Sequence, residues 1–175
     1  FRAGYYTTGS YNTFVGSLAG QGGTSSAPYS SGTNNVAVGY NALGGFTTGG
    51  DNIAIGYQAG DAITTAAANI AIGSLAAGAL TTGGDNIVIG YAALQSADGA
   101  EDNNIVIGTG AGQNINNDAS DDNVFIGTYA GRGGTGELDR CVAIGYQAMD
   151  GTGTVSAQQN IFIGDNAGGG SWTTA

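Results

Sequence analysis

The groups in this chain able to do chemistry are few: thirteen carboxylates, three arginines, one cysteine and nine tyrosines, with no histidine and no lysine. Without histidine there is no histidine-based triad, imidazole metal ligand or imidazole acid–base catalyst. Without lysine there is no Schiff base and no Ser–Lys dyad. The single Cys141 excludes a disulfide framework and a thiolate zinc site. What remains is carboxylate chemistry. Paired carboxylates can hydrolyse glycosidic bonds, and Glu101/Asp102 and Asp121/Asp122 are adjacent acidic pairs. Both sit just before a repeated segment, where a turn and a solvated charge are the default expectation.

Gly49-Gly50-Asp51 and Gly83-Gly84-Asp85 partly match calcium-binding β-roll nonapeptides. The Gly-Gly-x-Gly-x-Asp sequence is never completed, so plain turns are the expectation. Stacked Asp and Asn loops do offer the oxygen ligands that Ca²⁺ takes, but no other cofactor has a candidate site. No Gly-x-x-x-x-Gly-Lys loop is present for a phosphate. A net charge of −10 argues against nucleic acid, whose phosphates demand dense Lys/Arg surfaces. Nine of the acidic residues fall between Asp98 and Asp150, which reads as a solvated exterior with cation binding or repulsion from acidic glycans behind it. No apolar run approaches the roughly 20 residues of a membrane helix, and no signal peptide opens the chain.

The elements that would carry these groups come from one repeat. It reads Asn, aliphatic, apolar, aliphatic, Gly, two variable residues, Ala, as in Asn52-Ile53-Ala54-Ile55-Gly56 with Ala59. Nine copies are centred on glycines 16, 39, 56, 73, 90, 108, 127, 145 and 164. All keep the alanine, and all keep the asparagine except the copy in which Cys141 replaces it. A fixed cassette joined by connections of variable length is a solenoid signature. Glycine at 35 of 175 residues without collagen periodicity or abundant proline agrees with it. The chain is therefore expected to be a single repeat-built unit over residues 1–175. Its ends read as cut from a longer chain, Ala3-Gly4 as the tail of an earlier copy and 170–175 as a connection to a further one.

Each burst is short and rich in β-branched residues, which predicts a strand. The expectation is an all-β parallel β-roll or β-solenoid of about nine coils with two short strands per coil, roughly 40 Å long at about 4.8 Å per coil. The second segment starts at the repeat alanine and carries an apolar residue four positions on, at Phe46, Ile63, Leu80 and Ile115. Asn35, Asn52, Asn69, Asn86, Asn104, Asn123 and Asn160 are expected at turns, hydrogen-bonded in a ladder. The glycine column is expected where coils or chains approach closely.

The first and third residues of each burst are expected inside the coil and the middle one outside. That middle column is apolar throughout: Phe14, Ala37, Ala54, Ala71, Val88, Val106, Phe125, Ala143 and Phe162. An outward apolar stripe needs a partner, so these residues are the expected interface with two further copies, intertwined or side by side, in a homotrimer. Tyr40, Tyr57, Tyr91 and Tyr146 follow the motif glycine and, with Arg132 and Arg140, are the candidate receptor contacts. The alternatives for them are ring packing and surface pairing of the arginines with Glu137 and Asp139. The connections 21–34, 95–103, 113–122, 132–140 and 150–159 are the candidate recognition loops.

The Asn-aliphatic-Ala-Ile-Gly-x-x-Ala motif resembles the head repeats of trimeric autotransporter adhesins, which are left-handed parallel β-rolls. With Tyr57-Gln58-Ala59-Gly60 and the Thr-Thr-Gly connections at 47–49 and 81–83, it is similar to repeats of phage tail fibres and large surface proteins. The resemblance covers essentially the whole chain. It implies an extracellular, non-enzymatic trimeric fibre projecting from a virion or cell and touching a host glycan or protein. The coils are longer than the shorter repeats of adhesin heads. A virion fibre is ranked first and a bacterial adhesin head second; a passive spacer and a polysaccharide-degrading tailspike are the other readings.

Overall fold

The computed structural model describes residues 1–23, 29–97 and 99–170. It contains strands and turns and, among the described residues, no helix. The strands are β1 (Thr13–Val15), β2 (Val36–Val38), β3 (Ile53–Ile55), β4 (Ile70–Ile72), β5 (Ile87–Ile89), β6 (Ile105–Ile107), β7 (Val124–Ile126), β8 (Leu138–Asp139), β9 (Val142–Ile144), β10 (Ala157–Gln158) and β11 (Ile161–Ile163). Every three-residue burst is thus a strand. They form one parallel sheet of nine strands in the order β1-β2-β3-β4-β5-β6-β7-β9-β11, and β8 pairs with β10 separately. The chain is a parallel β-solenoid of about seven turns.

The register is strict: Ile53 lies opposite Ile70, Ile70 opposite Ile87, and Ile87 opposite Ile105. Variable connections do not disturb it, because the extra residues leave the cassette and return to it. Backbone hydrogen bonds join successive coils on the strand side, as from the Ile53 amide to the Asn69 carbonyl (2.8 Å), and on the far side, as from the Thr47 amide to the Thr64 carbonyl (2.8 Å). The far side was expected to form a second strand, and it does so only at β8 and β10. Elsewhere that segment begins in a turn whose residues repeatedly take positive φ, as at Gln58 (52°), Gly60 (55°), Ala92 (53°) and Leu94 (47°). Left-handed residues curl the chain and cannot continue a pleat.

The motif glycines take φ between 125° and 143°, a region closed to residues with a Cβ. Space decides the matter independently: a Cβ on Gly56 would lie 2.5 Å from the Gly73 carbonyl oxygen in the next coil. The column marks close approach of coils.

The strands are turned over relative to the sequence expectation. Ala37, Ala54, Ala71, Val88, Val106, Phe125 and Ala143 are buried inside this single chain, while Phe14 and Phe162 pack against the same core at its two ends. The middle column is therefore not an outward interface. The first and third residues of each strand face outward instead. Successive residues alternate faces, and Asn35, Asn52, Asn69, Asn86, Asn104 and Asn123, two positions before the middle residue, are buried. Asparagine and middle residue therefore share the inner face.

The core is a narrow column. Each coil contributes its middle strand residue, the repeat alanine (Ala19, Ala42, Ala59, Ala76, Ala93, Ala111, Ala130 and Ala148 are buried) and a larger residue such as Phe46, Ile63, Leu80 or Ile115. In five of the coils volume is exchanged between the middle residue and the position six further on. Where the middle residue is Phe14, Phe125 or Phe162, that position is Gly20, Gly131 or Gly168, and any Cβ there would collide with the ring. Where the middle residue is Ala37 or Ala143, the position holds the buried Leu43 or Met149. Close packing explains the exchange, because interiors tolerate neither voids nor overlaps.

Candidate interaction surface

The asparagines hold the strand edge together. Asn52 receives its place from Asn35, whose Oδ1 accepts from the Asn52 backbone N–H (3.0 Å) and from its Nδ2 (3.1 Å). The pattern repeats at Asn69, Asn86, Asn104 and Asn123. Each Nδ2 also donates across the coil to a backbone carbonyl, as Asn69 does to Gly83 (2.9 Å). At Cys141 the N–H still donates to Asn123 Oδ1 (2.9 Å), and the thiol turns to the Ala157 carbonyl (3.3 Å). Burial pushes the Cys141 thiol up from its ordinary value. Asn160, beyond this break, donates from Nδ2 to the Gln158 carbonyl at 3.0 Å.

Outside that ladder, the first and third strand residues make two parallel columns of side chains. Apart from Thr13 every residue in them is Val or Ile, and none is charged. Within the stack most are half-buried by their own neighbours; at the ends the cover thins, to 56% exposure at Val15 and 70% at Ile161. The result is a ribbed, flat, apolar face running the length of the sheet.

Beside the third-residue column stand Tyr40, Tyr57, Tyr91 and Tyr146, each about half exposed. Tyr40 and Tyr57 stack on one another, their centroids 5.5 Å apart and planes 14° from parallel. Each ring of that pair therefore has one face occupied by protein. Ser74 takes the tyrosine position in the coil between Tyr57 and Tyr91.

Arg132 pairs with Asp150, not with Glu137 or Asp139: Nε and Nη2 reach the two carboxylate oxygens at 3.0 Å each, and the guanidinium lies 4.6 Å from the Tyr129 ring centroid. Arg140 does pair with Asp139, through Nε at 2.8 Å and through Nη2.

The acidic pairs are not simply solvated. Glu101 is fully buried, and its Oε2 accepts from the Gly99 N–H at 3.2 Å. Asp102 Oδ1 accepts from the Gly84 N–H, and Asp121 Oδ1 accepts from the Asp102 N–H at 2.8 Å. Asp102 and Asp121 thus brace one coil against the next, while Glu101 holds its own connection. The cost shows at Asp121, whose pKa is raised first by burial and then by the charges of Asp102, Asp122 and Asp139. Asp61 is likewise raised by burial, against hydrogen bonds from Asn41 and Gln58.

Asp51, Asp85 and Asp122 are exposed and take φ of 57° to 59°. They occupy the position before the asparagine, where the chain must turn left-handed and Asp or Asn is favoured. Among the described residues no group of three or more Asp, Glu, Cys or His side chains is placed to hold a metal, and no pocket opens.

Of the candidate recognition loops, residues 24–28 of the 21–34 connection and residue 98 of 95–103 lie outside the described residues. So do 171–175 of the terminal connection. Sequence reasoning missed the ribbed face, although the buried asparagine two residues upstream was the signal that could have found it. Compared with family models, curated proteins and solved structures, the chain matches none.

Proposed function

We propose that this chain is a structural and adhesive segment of an extracellular fibre, with its nine repeats wound as left-handed coils in a homotrimer. The parent is ranked first as a virion tail fibre contacting a host glycan or protein, and second as a bacterial surface adhesin. One observation carries the reading: a stack in strict register presents an uncharged apolar face along its sheet. A repeat stack grows in one dimension and transmits position over distance. Unsupported aliphatic surface of that length calls for burial. The motif resemblance supports the same class of protein.

A passive spacer is the second reading, and two observations favour it. The Tyr40–Tyr57 stack and the pairing of Arg132 and Arg140 engage within the chain several groups that a receptor would use. The test is binding of the purified segment to host-cell surfaces and glycan arrays, with Tyr91→Ala as the companion variant. An adhesive segment binds, and the variant weakens it. No binding by the wild type, with an elongated particle in electron micrographs, leaves the spacer.

A further inference from the structure

We propose that one neutral pyranose ring binds on the tyrosine column between Tyr57 and Tyr91, where Ser74 leaves the column a ring short. This rests on the adhesive reading and names its ligand class.

The column runs in register, coil by coil. The residues after the motif glycines are Ser17, Tyr40, Tyr57, Ser74, Tyr91, Thr109, Thr128, Tyr146 and Asp165. Backbone hydrogen bonds join the coils at this level. The Gln58 amide donates to the Tyr40 carbonyl (2.9 Å), the Leu75 amide to that of Tyr57 (2.9 Å) and the Ala92 amide to that of Ser74 (3.0 Å). Ser74 therefore stands one coil from each neighbouring tyrosine, and Tyr57 and Tyr91 stand two coils apart, about 9.6 Å.

The Tyr40–Tyr57 pair sets what fits there. Its rings are 14° from parallel with centroids 5.5 Å apart. Parallel rings that close overlap face to face, because in one plane their edges would collide. The second face of Tyr57 then looks along the stack toward Ser74. Tyr57 is 52% exposed and Tyr91 58%, and among the described residues Tyr91 stacks on no other ring. A ring placed midway lies about 4.8 Å from each tyrosine, inside the range of about 4.5–7 Å at which rings stack. The opening has the thickness of the one tyrosine that is missing.

Chemistry chooses the occupant. A pyranose offers apolar C–H faces to the two tyrosines and a rim of hydroxyls to Ser74, the phenols and water. From Ser17 to Tyr146 the column carries no charge, and the net charge of −10 disfavours acidic sugars and nucleotides. An apolar aromatic ring would stack as well but offers these hydroxyls nothing. No pocket closes over this place among the described residues, so a bound ring is held by its two faces and its affinity is millimolar.

The experiment is saturation-transfer NMR with phenol and with the methyl pyranosides of glucose, galactose, mannose and N-acetylglucosamine, run beside glycan arrays. It compares the wild type, Ser74→Tyr, Tyr91→Ala and the control Ser17→Tyr. Ser74→Tyr fills the opening with the residue that Tyr40, Tyr57, Tyr91 and Tyr146 place in other coils, whereas Ser17→Tyr adds a ring beyond Tyr40. The expected result is a pyranoside that binds wild type and control alike, about tenfold more weakly to Tyr91→Ala. Ser74→Tyr should lose it altogether while keeping the wild-type circular dichroism.

Array or cell binding that survives both Ser74→Tyr and Tyr91→Ala overturns the site and leaves the adhesive reading standing. Binding of phenol without any pyranoside overturns the ligand class. A wild type that binds no pyranoside overturns the site, and if arrays and host cells are blank as well, the adhesive reading falls with it. Should Ser74→Tyr fail to fold, Tyr91→Ala decides: a tenfold loss supports the site, and unchanged affinity overturns it.

Discussion

At the scale of the residue, two backbone positions respond to substitution in opposite directions. Gly56 has φ of 140° and a carbonyl oxygen of the next coil where a Cβ would go. Gly56→Ala is expected to cost about 2–4 kcal/mol, read as a fall in denaturant midpoint. Ala68 has φ of 59° at a position that holds Asn34, Asp51, Asp85, Asn103 and Asp122 in other coils. Ala68→Asn should gain about 0.5–1 kcal/mol, because asparagine enters the left-handed region at lower cost than alanine.

Asp121 provides a pH test. Its folded-state pKa is raised above the ordinary 3.8 by burial and by Asp102, Asp122 and Asp139. The native state therefore holds the proton longer than the unfolded chain, and stability falls as pH rises from that ordinary value through the folded one. Asp121→Asn keeps an acceptor for the Asp102 N–H and removes the charge. Its melting temperature should exceed that of wild type at pH 7, and the difference should vanish below about pH 3.8.

At the scale of the element, some coils exchange volume between two positions of the core. Phe125 fills space that Gly131 leaves, while Met149 fills space that Ala143 leaves. Phe125→Ala should cost about 3–5 kcal/mol by opening a cavity. Gly131→Met alone should also destabilise, because its Cβ meets the ring. Together they reproduce the Ala143/Met149 pairing, so the double variant should recover most of the loss. The coupling is measured by a double-mutant cycle in denaturant. Additive losses would mean that the two positions do not share one volume.

For the whole molecule, stability is a chain of nearest-neighbour contacts. Each strand of the main sheet touches the rows on either side of it, and the two end strands, β1 and β11, have a neighbour on one side only. In such a stack, opening begins at the ends. Amide exchange should be slowest in β4, β5 and β6 and fastest in β1 and β11, with a monotonic gradient between. Uniform protection would instead indicate that copies of the chain lock the rows together along the full length.

The sequence by itself determined the periodic unit, the all-β class, the strand positions and the lack of histidine and lysine chemistry. Residue type and spacing suffice for these: β-branched triplets closed by glycine have few other conformations, and a side chain that is missing cannot catalyse. The tertiary structure decided which way each strand faces. A triplet of three apolar residues has no polar member to mark its outer side, so alternation alone leaves two choices that differ by one residue. The choice shows in what is buried: the interior holds one alanine, valine or phenylalanine of each triplet on the same face as a buried, hydrogen-bonded asparagine. It also decided the fate of Glu101 and Arg132, since their partners come from loop paths that variable connections leave unspecified.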